Sequence, residues 1–326
     1  MIIAITGASG NLGNNVLQLL VKSDNQIRCL FTGSSRSLNT INKYRRYIKV
    51  VRGDIRDYKC VFNFLEGVDI VLHLAAIVPP RFNRERLNYS REVNVEGTKN
   101  IIKAIEEHKQ KTKLIFPSSV AVWGDVRKRG ACILTEDDPT NPNADDLYAQ
   151  QKILSEEYIR KSKITWSIFR FGFMPNVSSL KFDPMMFDVP LDTNMEIVHV
   201  KDAAKAVVNG MNNEKIWGKI ILIAGGESCR ITYKQFVTTM LDTMGIGMLP
   251  EEAFGNYDFH CGWMDTSESQ NLLQYQNYSF DSLIKELKSK TKLLRFFAKL
   301  FRPIAKQFLL GKSKYYKDWK KGKKNK

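Results

Sequence analysis

The chain begins with a short apolar strand that runs directly into a glycine-rich turn. Residues Ile2–Ile5 are apolar, and the segment after them reads Thr6-Gly7-Ala8-Ser9-Gly10-Asn11-Leu12-Gly13. Apolar residues at helical spacing follow as far as Leu20. Glycines between a strand and a helix allow a tight turn and let backbone N–H groups approach a pyrophosphate at the positive end of the helix dipole. The sequence therefore predicts a dinucleotide-binding turn in an α/β fold.

Short apolar runs recur along the first half of the chain and alternate with segments of helical spacing. The predicted strands are Ile2–Ile5, Ile27–Phe31, Ile48–Val51, Ile70–Leu74, Leu114–Phe116 and Thr165–Phe169. Strands of this kind separated by helices indicate a parallel sheet with helices on both faces. We expect a doubly wound Rossmann sheet.

The regular alternation weakens after Phe171, which suggests three regions. We expect a dinucleotide-binding Rossmann core at residues 1–172 and a smaller substrate lobe at residues 173–289. The lobe includes elements that return to the core, such as a strand at Ile220–Ala224, and a helix capped by Thr232. Residues 290–326 form a basic tail.

The net charge of +16 is concentrated in that tail. Residues 290–326 carry fourteen basic residues against Asp318 alone, a net charge of +13, which leaves +3 for residues 1–289. Leu293–Leu310 interleaves cations with bulky apolar residues and predicts an amphipathic helix, kinked at Pro303, that can lie on an anionic membrane. A helix packed on the body with a disordered end, or a nonspecific polyanion-binding tail, are the alternatives. We expect no specific nucleic-acid partner.

Other features of the composition point to a reducing compartment. Five scattered cysteines without a CxxC pair favour neither a disulfide framework nor a zinc site, and we predict no metal. The first residues show neither a signal peptide nor a membrane-spanning segment. We expect a cytoplasmic protein, peripheral on the inner face of the membrane if the tail binds lipid.

Several motifs in the same order resemble those of extended short-chain dehydrogenases/reductases, in the NAD-dependent epimerase/dehydratase family. They are the Gly7-x-x-Gly10-x-x-Gly13 turn, Gly53-Asp54-Ile55, His73-Leu74-Ala75-Ala76, Asn94 to Asn100, Ser118 to Gly124, Tyr148-x-x-x-Lys152, Arg170-Phe171-Gly172 and His199 to Ala204. The resemblance covers roughly residues 1–285 and points to an uncharacterised subgroup. It implies the same fold and a nicotinamide cofactor.

Tyr148 and Lys152 lie four residues apart on a predicted helix and therefore project from one face. A neighbouring ammonium, together with an oxidised nicotinamide, would lower the pKa of the phenol, which can then exchange a proton with a substrate oxygen. By resemblance Ser119, rather than its neighbour Ser118, holds the same oxygen. The catalytic residues implied are Ser119, Tyr148 and Lys152. The cofactor-binding residues implied are Gly7, Ser9, Gly10, Asn11, Leu12, Gly13, Arg36, Asp54, Ile55, Leu74, Ala75, Ala76, Asn94, Tyr148 and Lys152.

The sequence leaves two alternatives for the cofactor and three for the function. The second strand leads to Arg36 and no carboxylate, which favours NADP over NAD. Val120-Ala121 stands where the family's dehydratases have Asp-Glu, so dehydration is not expected. The first interpretation is an NAD(P)-dependent oxidoreductase acting on a small-molecule carbonyl or alcohol. An NAD-dependent sugar or nucleotide-sugar epimerase and a catalytically silent cofactor-binding protein are the alternatives. Whether the chain forms a homodimer is left open.

Overall fold

The computed structural model describes residues 1–33, 35–79, 87–109, 111–129, 133–176 and 182–324. The strands are β1 (Ile2–Thr6), β2 (Gln26–Phe31), β3 (Ile48–Arg52), β4 (Ile70–His73), β5 (Lys113–Ser119), β6 (Ile133–Leu134), β7 (Thr165–Phe171), β8 (Asn194–Glu196), β9 (Ile220–Ile223), β10 (Arg230–Thr232) and β11 (Trp263–Met264). The α-helices are α1 (Asn11–Leu20), α2 (Ser35–Asn42), α3 (Tyr58–Phe64), α4 (Leu87–Arg91), α5 (Gly97–His108), α6 (Leu147–Lys161), α7 (Val200–Met211), α8 (Tyr233–Thr243), α9 (Ser267–Leu273), α10 (Phe280–Lys290), α11 (Lys292–Leu300), α12 (Arg302–Leu310) and α13 (Lys314–Lys324).

The seven-stranded sheet has the order β3-β2-β1-β4-β5-β7-β9. Every neighbouring pair in it is parallel. The strand order reverses between β1 and β4, and in open parallel sheets ligands bind beside the carboxyl ends of the strands at such a reversal. The predicted doubly wound sheet is confirmed.

Apolar side chains cover both faces of the sheet. On one face Val16 and Leu17 of α1 pack with Ala203 and Val207 of α7. On the other face α3, α5 and α6 bury a second cluster that includes Phe64 and Ile101. Strand β9 and helix α7 lie beyond residue 172 in the sequence but belong to these layers.

The remaining lobe has its own apolar cluster, built mainly around α8. Its members include Phe187, Val237 and Phe254, and it also takes in Trp123, from the helical turn that follows β5, and Leu309 of α12. Thr232 caps α8 through a reciprocal side-chain arrangement with Gln235, as the sequence predicts.

The tail forms three short helices. The predicted single kinked helix is instead two helices, α11 and α12, which meet at Phe301. Pro303 stands in the first turn of α12, where its missing N–H costs no helical hydrogen bond. No helix in the described ranges is long and apolar enough to cross a membrane.

Candidate active site

The glycine turn at the end of β1 is shaped by close backbone packing. Gly7 has φ +72°, and a Cβ atom there would lie 2.6 Å from the backbone nitrogen of Ala75. A Cβ atom on Gly13 would lie 2.2 Å from the carbonyl oxygen of Gly7. Neither position accommodates a side chain, so both glycines are required for β1, α1 and the end of β4 to meet.

Gly10 is less closely packed than those two glycines. A Cβ atom there would approach the carbonyl oxygen of Gly7 at 3.2 Å and meet no other heavy atom within 4 Å in the described structure. Gly10 is the N-cap of α1, and neither a capping side chain nor an acidic residue occupies the first turn. The open positive end of this helix fits the pyrophosphate of a dinucleotide. Ser9, Asn11 and Leu12 are half-buried in the same turn.

Asp54, which follows β3, is held by its neighbour Arg56. Its carboxylate accepts hydrogen bonds from the backbone N–H of Arg56 at 2.9 Å and from the guanidinium, which also pairs with Glu92. Burial would raise the pKa of Asp54, but the hydrogen bonds and charge of Arg56 outweigh it and hold this pKa below its usual range. Ile55 is buried against Gly97, where a Cβ atom would come within 2.7 Å of the Ile55 side chain.

The edge beyond β2 carries a cation that the sequence analysis missed. Arg52 ends β3, pairs in register with Phe31, and its Nε atom lies 3.3 Å from the position of a Cβ on Gly33. Arg36 belongs to the first turn of α2, and its side chain is outside the described part of the chain. Arg52 is the last residue of β3, and this position in the sequence is the signal that could have identified it.

A directional chain of hydrogen bonds surrounds His73 at the end of β4. The N–H of Ala75 donates to Thr6 Oγ1 at 3.2 Å, and Thr6 Oγ1 lies 2.7 Å from His73 Nδ1. His73 Nε2 lies 3.1 Å from Thr98 Oγ1, which donates to the carbonyl oxygen of Asn94. This order assigns the proton to Nε2 and makes the imidazole neutral. Burial and the nearby Lys152 lower the pKa of His73 to about 3.

Asn94 fixes the loop that follows β4. Its Oδ1 accepts from the N–H of Ile77 at 2.7 Å, and its Nδ2 donates to the Ile77 carbonyl and to Gln151. Asn94 lies in a wide turn between α4 and α5, Glu92–Glu96, that has π-helical geometry. The Asn94 amide therefore holds the segment with Leu74, Ala75 and Ala76 near the glycine turn.

The three predicted catalytic residues come together at the end of β5. Ser119 is the last residue of β5, and Tyr148 and Lys152 lie one turn apart on α6. The hydroxyl of Tyr148 is hydrogen-bonded to Ser119. Burial and the charge of Asp146 raise the pKa of Tyr148 although the Ser119 bond lowers it, so the side chain is a neutral phenol. Without the cofactor, the protein therefore does not show the lowered pKa of Tyr148 that was expected from the neighbouring Lys152.

Lys152 is buried beside this pair. Its Nζ atom donates to the carbonyl oxygen of Pro117 at 2.6 Å and lies 4.6 Å from the ring centroid of Phe116 and 5.9 Å from that of Tyr148. Burial lowers the pKa of Lys152 to about 8, against the opposing charge of Glu156. Glu156 is itself buried and paired with Arg170 at 2.8 Å.

Alternation along β5 separates Ser119 from Ser118. Ser118 is buried, and its hydroxyl has no hydrogen-bond partner among the described residues. Ser119 Oγ meets Tyr148 and also accepts from the N–H of Ala121. The geometry therefore assigns the role of Tyr148 partner to Ser119.

Two other histidines have structural contacts. His199 caps α7 by accepting from the N–H of Lys201, and its Nε2 lies 3.1 Å from Glu286. His260, which the sequence analysis left without a role, pairs with Asp146 at the N-terminus of α6. Within the described ranges no group of three or more His, Cys, Asp or Glu side chains is arranged to hold a metal ion.

Comparison with known proteins gives a family match and several relatives. The profile of the 3-beta hydroxysteroid dehydrogenase/isomerase family matches residues 4–166, half of the chain. A Methanocaldococcus jannaschii protein provisionally named UDP-glucose 4-epimerase is 30% identical over 189 residues, 56% of this chain and 58% of that protein. The 3 beta-hydroxysteroid dehydrogenase/Delta 5-->4-isomerase of Monkeypox virus is 27% identical over 159 residues, 49% of this chain and 45% of the viral protein.

The chain thus spans about half the length of the curated relatives it matches. Among solved structures, UDP-glucuronic acid 4-epimerase from Bacillus cereus, in complex with UDP-glucuronic acid and NAD, superimposes with a TM-score of 0.72 at 20% identity. The match covers 91% of this chain and 100% of that chain. At this identity the likeness shows the fold.

Proposed function

Because the chain belongs to the 3-beta hydroxysteroid dehydrogenase/isomerase family, we propose that it is a nicotinamide-dependent oxidoreductase that interconverts a secondary alcohol and a ketone. The observation that carries this proposal is the hydrogen bond between Tyr148 and Ser119, with Lys152 buried one helical turn away. When bound, the dinucleotide supplies or accepts the hydride. The turn Gly7 to Gly13 would hold its phosphates, and Asp54, Ile55 and the loop after β4 would surround the adenosine and nicotinamide portions.

The protein's own residues handle the proton. Tyr148 as a neutral phenol donates to the oxygen of a ketone during reduction, and as a phenolate it accepts the proton of an alcohol during oxidation. Ser119 orients the same oxygen through a second hydrogen bond and stabilises charge that develops there. Together with the positive charge of an oxidised nicotinamide, Lys152 would favour the phenolate, because it lies on the same face of α6.

An epimerase is the second candidate, favoured by the name of the Methanocaldococcus jannaschii relative. The same three residues serve it, because a sugar alcohol is oxidised and the resulting ketone is reduced on its other face. The two candidates differ in one measurable respect. An oxidoreductase releases changed cofactor, whereas an epimerase shows no net change in cofactor absorbance.

The test follows turnover of the purified full chain with a panel of alcohols and ketones and a panel of UDP-sugars. Tyr148→Phe should lower the detected turnover by at least ~10²-fold. The matched control is Tyr158→Phe, because Tyr158 lies on the same helix with 38% of its surface exposed. Equal turnover in Tyr148→Phe and the wild type would show that Tyr148 is not the proton donor. Cofactor binding without turnover on either panel would favour the catalytically silent alternative.

NADP is the proposed cofactor, with NAD as the alternative. Arg52, exposed at the edge beyond β2, supports this choice because a guanidinium there suits a ribose 2′-phosphate. Fluorescence titration should give tighter binding of NADPH than of NADH, and Arg52→Ala should weaken NADPH binding alone. Lys49→Ala, an exposed cation on the same strand, is the control. Clear preference of the wild type for NADH would overturn the choice.

We also propose that residues 290–326 hold the protein at an anionic membrane surface. The +13 charge of this region supports the proposal, since each basic residue near an anionic leaflet contributes about 1 kcal/mol.

A further inference from the structure

The outer side of α11 and α12 is apolar. Eight large apolar side chains there are between 46% and 72% exposed: Leu293, Leu294, Phe296, Phe297, Leu300, Phe301, Ile304 and Phe308. We call this set the outer face. Helices on the surface of globular proteins normally turn such residues toward the core and leave charged residues outside. Contiguous exposed apolar patches of this kind mark interaction sites.

The inner side of the same helices carries small and basic side chains as far as Lys306, and Leu309 and Leu310 at its end. Ala298 and Ala305 contact the lobe's apolar cluster. Arg302 Nε donates to the carbonyl oxygen of Ile246 at 2.8 Å, and Lys306 Nζ donates to that of Met248 at 2.8 Å. Two of the four cations interleaved in this segment are therefore bound to protein carbonyls just beyond α8. Most of the large apolar side chains of the two helices therefore face away from the protein, and only Leu309 and Leu310, at the end of α12, are buried.

Contacts beyond Phe301, where α11 and α12 meet, fix this orientation. Leu309 and Leu310 are buried in the lobe's cluster. Ser313 Oγ donates to the carbonyl oxygen of Ala253 at 2.6 Å, and Tyr315 donates to Asp188 at 2.8 Å. Turning the outer face inward would break these contacts, so the protein presents the apolar side chains as part of its folded surface.

We propose that the outer face inserts into the boundary between headgroups and acyl chains of an anionic bilayer. This rests on the proposed membrane location and specifies its mode: apolar insertion holds the protein, and the basic residues of α13 add attraction to anionic headgroups. Charge selects this occupant, because two copies joined through this face would bring two regions of +13 together. An anionic leaflet instead complements the cations beside the apolar patch.

The test is flotation of the full chain with phosphatidylcholine vesicles and with vesicles that also contain phosphatidylserine. Phe296→Gln/Ile304→Gln should weaken binding to both kinds of vesicle by about 100-fold, roughly tenfold for each side chain removed from the bilayer. The matched control is Leu19→Gln/Tyr47→Gln, which removes two exposed apolar side chains from the Rossmann core. This control should bind as the wild type does.

A second variant separates the contribution of charge to membrane binding from that of apolar insertion. Lys320→Gln/Lys321→Gln/Lys323→Gln should weaken binding to the phosphatidylserine vesicles and leave binding to pure phosphatidylcholine unchanged. Undiminished flotation of Phe296→Gln/Ile304→Gln would overturn insertion. Insertion would also be overturned if the wild type were a dimer without lipid and this double substitution made it a monomer. A second copy of the chain would then cover the outer face.

Failure of this inference is distinguishable from failure of the proposed function. Tyr148→Phe should float as the wild type does, because it lies on α6, away from the outer face. Phe296→Gln/Ile304→Gln should keep wild-type turnover on a water-soluble substrate. Loss of flotation with intact turnover, or the reverse, therefore reports on one proposal at a time.

Discussion

Asp146 and His260 join the helix that carries Tyr148 to the C-terminal lobe. One carboxylate oxygen of Asp146 accepts from the N–H of Ala149 at 2.9 Å and caps α6, while the other pairs with His260 Nδ1. Asn143 adds a second link, because its Nδ2 donates to the carbonyl oxygen of Asp258 at 2.7 Å. The segment around His260 is thereby held against the N-terminus of α6, two residues before the proposed proton donor.

The charge of Asp146 should tune Tyr148. Asp146 raises the pKa of Tyr148, so Asp146→Asn, which keeps a capping side chain, should shift the alkaline limb of the pH–kcat profile for ketone reduction to lower pH. Asp146→Ala loses the cap as well and should lower the free energy of unfolding by about 1 kcal/mol. Profiles of turnover against pH, with denaturant unfolding of both variants, check the prediction. An unshifted profile in Asp146→Asn would contradict it.

The two adjacent serines should respond differently to the loss of a hydroxyl. Ser119→Ala removes the hydrogen bond that lowers the pKa of Tyr148 and orients the substrate oxygen, so kcat for ketone reduction should fall by about 10²-fold and the alkaline limb of its pH profile should move to higher pH. Ser118→Ala is the control and should leave kcat unchanged, because the buried Ser118 hydroxyl has no partner among the described residues. Steady-state kinetics would reverse the assignment if Ser118→Ala were the impaired variant.

Burial of Lys152 should appear as a pH dependence of stability. Its pKa falls from an ordinary value of 10.5 to about 8 in the folded protein, so between these values the unfolded chain binds more protons and stability rises with pH. The contribution amounts to ~3 kcal/mol over this range. The difference in unfolding free energy between wild type and Lys152→Met, followed from pH 7 to 10.5, isolates it from other groups. A constant difference would contradict the prediction.

His73 should make the protein sensitive to acid. Its pKa is lowered from 6.5 to about 3, so the unfolded chain takes up a proton that the folded chain excludes, and stability should fall as the pH drops from 6.5 toward 3. The loss is ~5 kcal/mol when complete. Protonation would also remove the acceptor that Thr6 requires. Comparing the free energy of unfolding of the wild type and of His73→Gln, which cannot be protonated, measures this loss of stability. Equal acid sensitivity in both proteins would contradict the prediction.

Two glycines of the turn should separate folding from cofactor binding. Gly10→Ala adds a methyl group at the open end of α1 and should weaken dinucleotide binding by at least tenfold while leaving the melting temperature near that of the wild type. Gly13→Ala forces a Cβ atom to 2.2 Å from the Gly7 carbonyl oxygen and should destabilise the fold itself. Thermal unfolding and cofactor titration of the pair check this, and a destabilised Gly10→Ala would count against it.

The elements set by local patterns were predicted well from the sequence. Each of the six predicted strands is present, because a short run rich in apolar residues identifies a strand of a parallel sheet without knowledge of its partners. The glycine turn follows β1 as expected, and the resemblance to extended short-chain dehydrogenases/reductases is confirmed by the family match.

Features that depend on distant contacts were not predicted. The pairing of His260 with Asp146 joins the lobe to α6, and nothing in the sequence around either residue signals the other. The amphipathic character of the tail was recognised, but helical spacing alone cannot tell which side meets the protein. Arg302 and Lys306 donate to the carbonyl oxygens of Ile246 and Met248, which lie more than fifty residues earlier in the chain.

The charge of the tail and the packing of the tail define different boundaries. By charge, the last 37 residues are separate from the rest of the chain. By packing, Leu309 and Leu310 share one apolar cluster with Trp123, which follows Ser119 by four residues. A truncation placed at residue 290 would therefore expose the lobe's apolar cluster to water and remove two side chains that pack in the same cluster as Trp123. The terminal segment therefore belongs to the packed interior of the lobe as well as to its surface.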